Sequence, residues 1–371
     1  MRSLTTPRVP ASVQRTMRRR GLGPDPGPDV KWNALFRVVC ARPGLGGVHT
    51  PMSYRHGSRL QCDNHRPADR QTSMPIESTR KGRDMEHART EEPTVTGQSG
   101  DASNTGPLET GYAPVNGLQM YYEIHGSGGT PLLLLHGGLF NVDLQFGEVL
   151  PALAQTRAVI AADFQAHGRT GDIDRPLTTS HLTSDVVGLL DHLGIGQVDV
   201  FGFSVGGAVA LRLAINHPQL IRKLIVSSAS FHPDGDRPEN ADAVGEMTVD
   251  MIAGTPMEQD YLAKSPNPDK LQDLLDKLGT FDQGFTGWSD AEIEEIAAPT
   301  LITIGDCDAV TLEHAVRFLQ LRGGDVNGDF VGVPASQLAV FPGTTHFFGM
   351  ARTTLVLDVV TAFLDAPEAA S

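Results

Sequence analysis

From residue 111 onward the sequence predicts an α/β protein, a mostly parallel sheet covered by helices on both faces. Three observations predict it. Short runs of continuous Leu, Val and Ile recur along this stretch, where an exposed sheet face would give alternation with polar residues. Patterns of helical period separate those runs. No repeat of 20–50 residues divides the stretch into smaller units.

The elements follow in order. Asn116-Gly117 is a hairpin signal, and the strand-like Leu118 to Ile124 comes directly after it. Further strands are expected at Pro131–Leu135, Ala158–Ala161, Val198–Phe201, Leu224–Val226, Leu301–Ile304 and Leu338–Phe341. Leu182, Val186, Val187, Leu189, Leu190 and Leu193 form one apolar stripe, the mark of a helix with one buried face. Val205–Ile215 is apolar nearly all round, as a helix pressed against a sheet should be. Residues 232–298 interrupt the alternation, with several Pro and Gly and helical patches at Leu271–Leu278 and Asp290–Ile296. Lying between two sheet strands, they are expected to fold as a small helical lid over the carboxyl edge, where open α/β sheets bind ligands.

Residues 1–110 read differently. They carry 15 Arg and 2 Lys against 6 Asp and 5 Glu, a net +6, whereas residues 111–371 carry 13 basic and 33 acidic side chains, a net −20. The first stretch has no sustained period, and its one apolar patch, Ala34 to Ala41, is broken by Arg37. Such a segment cannot bury enough apolar surface to offset backbone ordering, so a disordered or non-native extension is expected. The reading that it is non-native would put the true start at Met74 or Met85. Met1 to Arg20, with six Arg and no acid, resembles an organelle transit peptide. Arg18-Arg19-Arg20 lacks the apolar run that a twin-arginine signal needs.

Composition narrows the function. The 371 residues are 20% charged and 40% hydrophobic, and their 3 Cys exclude a disulfide scaffold. No apolar run approaches the roughly 18 residues that a bilayer span requires. The net charge of −14 argues against nucleic acid or an anionic membrane as partner. A cytoplasmic enzyme acting on a small molecule is expected.

Gly202-Phe203-Ser204-Val205-Gly206 follows a strand and opens the apolar helix. G-x-S-x-G in that setting is a nucleophile elbow. Ser204 must sit on a sharp, strained turn that projects its hydroxyl, and the residues two before and two after approach so closely that only small ones fit. His136-Gly137-Gly138-Leu139, after the strand Pro131–Leu135, is a loop that can aim backbone N–H groups at the nucleophile. The N–H of Val205 and that of Gly138, with Leu139 as rival, are expected to form an oxyanion hole. His136 itself is expected to bond the loop.

The stretch from Gly111 to about Pro367 resembles the α/β-hydrolase-fold enzymes, in particular the small serine esterases, enol-lactonases and cofactor-free haloperoxidases. The shared marks are Leu135-His136-Gly137, Asp163 through Gly168-Arg169-Thr170, the elbow at Ser204, Gly305-Asp306-Cys307-Asp308 and Gly343-Thr344-Thr345-His346, in family order. One departure is Ala166, where the family often has Gly. The resemblance implies a catalytic order of Ser, acid, His. His346 is then the base, since it alone among nine His after residue 111 follows the last predicted strand. The resemblance favours Asp308 as the acid, with Asp306 as rival and as a partner of the loop backbone. Some relatives place the acid after the sixth strand, but Ser227-Ser228-Ala229-Ser230 offers no carboxylate before Asp234. His167 is expected to be structural, His314 solvated, and Cys307 a packing residue.

Ser204, His346 and Asp308 with an oxyanion hole predict hydrolysis of an ester or lactone through an acyl-enzyme. Carbon–carbon or amide cleavage by the same groups, and a non-catalytic ligand-binding role, are the alternatives. No cofactor or metal is expected, because HExxH, GxxxxGK[ST] and a post-strand GxGxxG are all missing. Met247, Met251, Phe281, Phe285, Trp288 and Phe347 are expected to line the substrate pocket, with Met257 and Tyr261 as further apolar lid residues.

Overall fold

The computed structural model describes residues 106–367. The expectation for the leading segment lies outside the described residues except at its end. Strand β1, Glu109–Val115, starts two residues before the boundary expected at 111. It pairs antiparallel with β2, Leu118–His125, through a tight turn in which Asn116 and Gly117 both have positive φ, 48° and 88°. That turn geometry is why Asn-Gly stands there.

The remaining strands are β3 Leu132–Leu135, β4 Val159–Ala162, β5 Val198–Phe203, β6 Ile221–Ser227, β7 Thr300–Cys307 and β8 Gln337–Thr345. The eight form one sheet in the order β1-β2-β4-β3-β5-β6-β7-β8. β4 through β8 are parallel, and β2 joins β4 antiparallel. β7 and β8 run several residues beyond their predicted ends, so Asp306 and Cys307 lie on a strand tip and His346 follows β8 directly.

The helices are α1 Val142–Phe146, α2 Leu150–Leu153, α3 Thr179–His192, α4 Val205–Asn216, α5 Pro238–Gly245, α6 Val249–Ile252, α7 Pro256–Lys264, α8 Leu271–Gly279, α9 Asp290–Glu294, α10 Leu312–Leu321, α11 Gly328–Val331 and α12 Thr353–Asp365. Alternate strand residues feed two apolar layers. Leu133, Leu135, Val198, Val200, Leu224 and Val226 pack on one face with residues of α3, α4 and α10. Leu132, Leu134, Phe201, Phe203 and Ile225 pack on the other with residues of α1, α2 and α12. Burial of both faces is the reason the strands read as continuous apolar runs.

Helices α5 to α9 fill the expected lid between β6 and β7. They are tied to the rest of the fold by ion pairs Lys264–Asp143 and Lys277–Asp172, each 2.7 Å, and by the Thr179 N–H donating to Asp282 at 2.8 Å. No helix among the described residues is long and apolar enough to cross a membrane.

Candidate active site

The loops leaving the carboxyl ends of β3, β5, β6, β7 and β8 converge on one cavity of about 350 Å³. Strand order reverses direction at β3 and β5, and an open α/β sheet leaves its crevice at such a switch. Ser204 stands between β5 and α4 with φ 52° and ψ −115°, a strained conformation for a residue with a side chain. The flanking glycines are steric necessities. A Cβ on Gly202 would lie 2.2 Å from the Gly206 oxygen, and one on Gly206 would lie 2.1 Å from the Leu135 oxygen.

Three separate segments form a hydrogen-bonded chain here. His346 Nε2 lies 3.0 Å from Ser204 Oγ, and His346 Nδ1 lies 2.8 Å from Asp308 Oδ1. An ionised carboxylate only accepts, so Nδ1 carries the proton and Nε2 faces the serine as an acceptor. The His346 ring also packs on Phe203, with centroids 5.3 Å apart. Asp308 is buried, which pushes its carboxyl up. Hydrogen bonds from His346, Ser228 and the Val310 N–H outweigh that and hold it below the usual carboxylate range. Asp306 faces elsewhere: the N–H groups of Gly343 and Thr344 hold its carboxyl low, the latter donating at 3.1 Å.

The loop after β3 lines the same cavity with Gly137, Gly138 and Leu139. Leu139 takes a positive φ of 65°, and the Phe140 N–H is spent on the Gly137 oxygen. Val205 opens α4, whose N-terminus has no side-chain cap, and it too lines the cavity. His136 lies beneath this loop. Its Nε2 accepts from the Phe164 N–H at 2.9 Å, so Nδ1 donates to the Gly137 oxygen at 2.8 Å. Burial, then the neighbouring His167, drives the His136 pKa well down. His167 is likewise buried, its Nδ1 donating to the Gln165 oxygen at 2.8 Å, and it does not line the Ser204 cavity. Ala166 adopts a φ of 63° without the glycine that commonly serves there, so the loop keeps its left-handed turn at the expense of side-chain strain.

The remaining pocket residues divide. Met247, Phe281 and Phe347 line the cavity with Ser204. Phe285 and Trp288 do not; they line a second cavity, of about 210 Å³, which Phe281 shares. Met251 lines neither, because its sulfur folds back to within 3.3 Å of the Thr248 N–H and caps its own short helix. Met257 and Tyr261 are buried in lid packing. Two further expectations are corrected. His314 is buried rather than solvated: its Nε2 accepts from the Phe231 N–H at 3.1 Å, and its ring lies against Phe231. Cys307 is exposed rather than packed, since β7 has left the core at that point.

Sequence reasoning missed Ser228 and Asp236. Ser228 enters the sequence reading only as a position without a carboxylate. Asp236 reaches the cavity because its backbone forms an isolated bridge with Val310, a long-range pairing with no local signal. Among the described residues, no group of three or more His, Cys, Asp or Glu side chains is arranged to hold a metal ion.

Comparison with known proteins agrees with this architecture. A family model described as alpha/beta hydrolase fold matches residues 130–278. The chain has the α/β-hydrolase fold. It is 41% identical over 118 residues to the dihydrolipoyllysine-residue acetyltransferase component of the acetoin cleaving system of Pseudomonas putida, a match covering 31% of each chain. It is 29% identical over 269 residues to the 2-hydroxy-6-oxo-2,4-heptadienoate hydrolase of Pseudomonas putida, covering 65% of this chain and 91% of that one. The enol-lactonase of Burkholderia xenovorans shares the fold, with a TM-score of 0.53 and 22% identity over 69% of this chain and 100% of that one. The matches to the first curated relatives span only 31% to 45% of those proteins' own length.

Proposed function

We propose that the protein is a serine hydrolase that cleaves a carboxylic ester or lactone through an acyl-enzyme. The observation that carries this reading is the unbroken relay from Asp308 through His346 to Ser204, with links of 2.8 and 3.0 Å. A serine hydroxyl is a weak nucleophile until a base takes its proton. In the proposed reaction Ser204 Oγ attacks the carbonyl carbon as His346 Nε2 accepts its proton. The oxyanion of the tetrahedral intermediate faces the N–H groups of Val205 and Gly138, or Leu139 in place of Gly138. His346 then returns the proton to the leaving alcohol. Water, deprotonated by the same imidazole, releases the acid and restores Ser204. Asp308 holds the ring in the productive tautomer and balances its charge. The mainly apolar cavity, with Met247, Phe281 and Phe347 in its wall, suits an ester or lactone of modest size.

A second reading keeps the same nucleophile and changes the bond. Similarity along two thirds of the chain to a 2-hydroxy-6-oxo-2,4-heptadienoate hydrolase favours attack on a ketone and cleavage of a carbon–carbon bond. One comparison tests both. The protein and its Ser204→Ala variant are treated with a fluorophosphonate probe, then assayed on p-nitrophenyl acetate, a lactone, an anilide and a vinylogous diketone. The expected result is labelling that disappears in the variant, with turnover highest on ester or lactone. Turnover confined to the diketone supports the second reading. Equal turnover in Ser204→Ala overturns both.

A further inference from the structure

The second cavity opens beside the first, and the two share Ala208, Ser230, Asp236 and Phe281. Its walls carry an unusual pairing of chemistry. Phe231, Phe281, Phe285 and Trp288 supply aromatic surface, and Phe285 and Trp288 meet edge to face with centroids 4.9 Å apart. The carboxylate of Asp236 stands at the junction with the Ser204 cavity. Its Oδ2 accepts from Ser230 Oγ at 3.0 Å, and its backbone bridge to Val310 fixes it close to Asp308. Among the described residues, no Lys, Arg or His forms an ion pair with it.

The other charged groups around the cavity do not supply that missing cation. Asp282 lines it, but Thr179 donates to Asp282 through both its N–H and its hydroxyl. His232 lines it and accepts from the Asp234 N–H. Arg212 lies over Phe285 and Trp288, at 5.4 and 5.7 Å from their centroids, and Arg317 lies 5.6 Å from that of Phe231, yet neither arginine lines the cavity. Aromatic faces attract cations, and these rings already do so on one side. Burial, with a smaller push from the Asp308 charge, raises the Asp236 carboxyl, while Ser230 and then the nearby His346 pull the other way. The net −20 of residues 111–371 adds a field that draws cations toward the protein.

We infer that this second cavity receives a compact organic cation carried by the substrate, an alkylammonium group that takes Asp236 as counter-ion and the rings of Phe281, Phe285 and Trp288 as walls. The inference rests on the reading of Ser204 as the nucleophile, since the cation must belong to an ester whose carbonyl lies in the adjoining cavity.

The test compares butyrylcholine with 3,3-dimethylbutyl butyrate, its uncharged carbon isostere, in the protein and in Asp236→Asn. The expected result is a kcat/KM at least about tenfold higher for the cationic ester, equivalent to about 1.4 kcal/mol, and a cationic-to-neutral ratio that drops by about the same factor in the variant. Choline should compete with the ester in the unaltered protein while 3,3-dimethylbutanol does not, a measurement that needs no folded variant. A ratio near one, or a ratio that Asp236→Asn leaves in place, overturns the inference. Turnover of the neutral ester with fluorophosphonate labelling but no preference for the cation refutes the cation site alone. Absence of labelling and of turnover on both esters refutes the nucleophile reading instead.

Discussion

Ser228 Oγ donates to Asp308 Oδ2 at 2.7 Å while His346 engages the other oxygen, so the carboxylate is gripped from both sides. Ser228 comes from the end of β6 with a φ of 50°, and its N–H donates to the Thr303 oxygen on β7 at 2.8 Å. The Asp308 carboxylate is therefore positioned by two neighbouring strands and not only by its own loop.

Asp308→Asn should lower kcat on the best ester by about 10⁴, because an amide leaves the imidazole in the wrong tautomer. Asp306→Asn should cost less than about tenfold, since its carboxylate serves the Gly343 and Thr344 N–H groups. Steady-state kinetics of the two variants decide between the two acids; the reverse order would reassign the role.

Ser228→Ala should lower kcat by about tenfold, the value of one hydrogen bond to a charged group. KM should change little, because Ser228 Oγ is committed to Asp308. A change confined to KM would make Ser228 a substrate contact instead.

Gly206→Ala forces a Cβ against a backbone oxygen and should destabilise the fold by more than about 3 kcal/mol, about 6–12 °C in Tm for a domain of this size. Gly196 has open space, with nothing within 4 Å, where an added methyl would stand, and should accept Ala within about 0.5 kcal/mol. Thermal melts of the pair test whether the elbow spacing is steric.

Stability should fall as pH drops from about 6.5 toward 4. Burial lowers the pKa of His167 and of His314 to about 4 and drives that of His136 well below its ordinary value. Their unfolded counterparts take up protons first, so the stabilisation is complete above about 6.5 and is lost on acidification, up to about 3 kcal/mol for the fully buried His167. Burial raises the Asp163 pKa to about 6, which acts in the opposite direction over part of that window, but it is one group against three. Replacing His314 with Gln should flatten the dependence of Tm on pH; an unchanged slope would show that His314 does not contribute.

Lys223 is buried, and its ammonium donates to the oxygens of Phe363 at 2.9 Å, Leu364 at 3.0 Å and Ala366 at 2.5 Å, closing the end of α12. Lys223→Met should cost about 2–4 kcal/mol, because buried carbonyls lose charged donors. Amide hydrogen exchange should quicken first in α12.

The parts of the site that short-range sterics impose were legible in the residues alone. The elbow is written in Gly202 and Gly206, and the burial of β3 on both faces is written in four consecutive leucines. What escaped was decided at long range. β1 begins before the shift in composition at 111, because pairing with β2 rather than its own pattern holds it. His314 reads as a polar residue on an exposed helix face until Phe231 folds across it. Asp236 gives no sign of its position, since the bridge to Val310 spans the whole lid. Met251 is a reasonable pocket residue by type, but its helix is too short to hold it toward the cavity.

Ser204 and His346 are 142 residues apart and arrive from different strand ends. During synthesis Ser204 emerges long before His346, and β8, the sheet edge that leads into His346, is the last of the eight described strands to be made. A nascent chain therefore bears Ser204 without its imidazole partner until β8 has joined the sheet, and on the proposed function reactive-probe labelling counts only molecules in which that edge is in place.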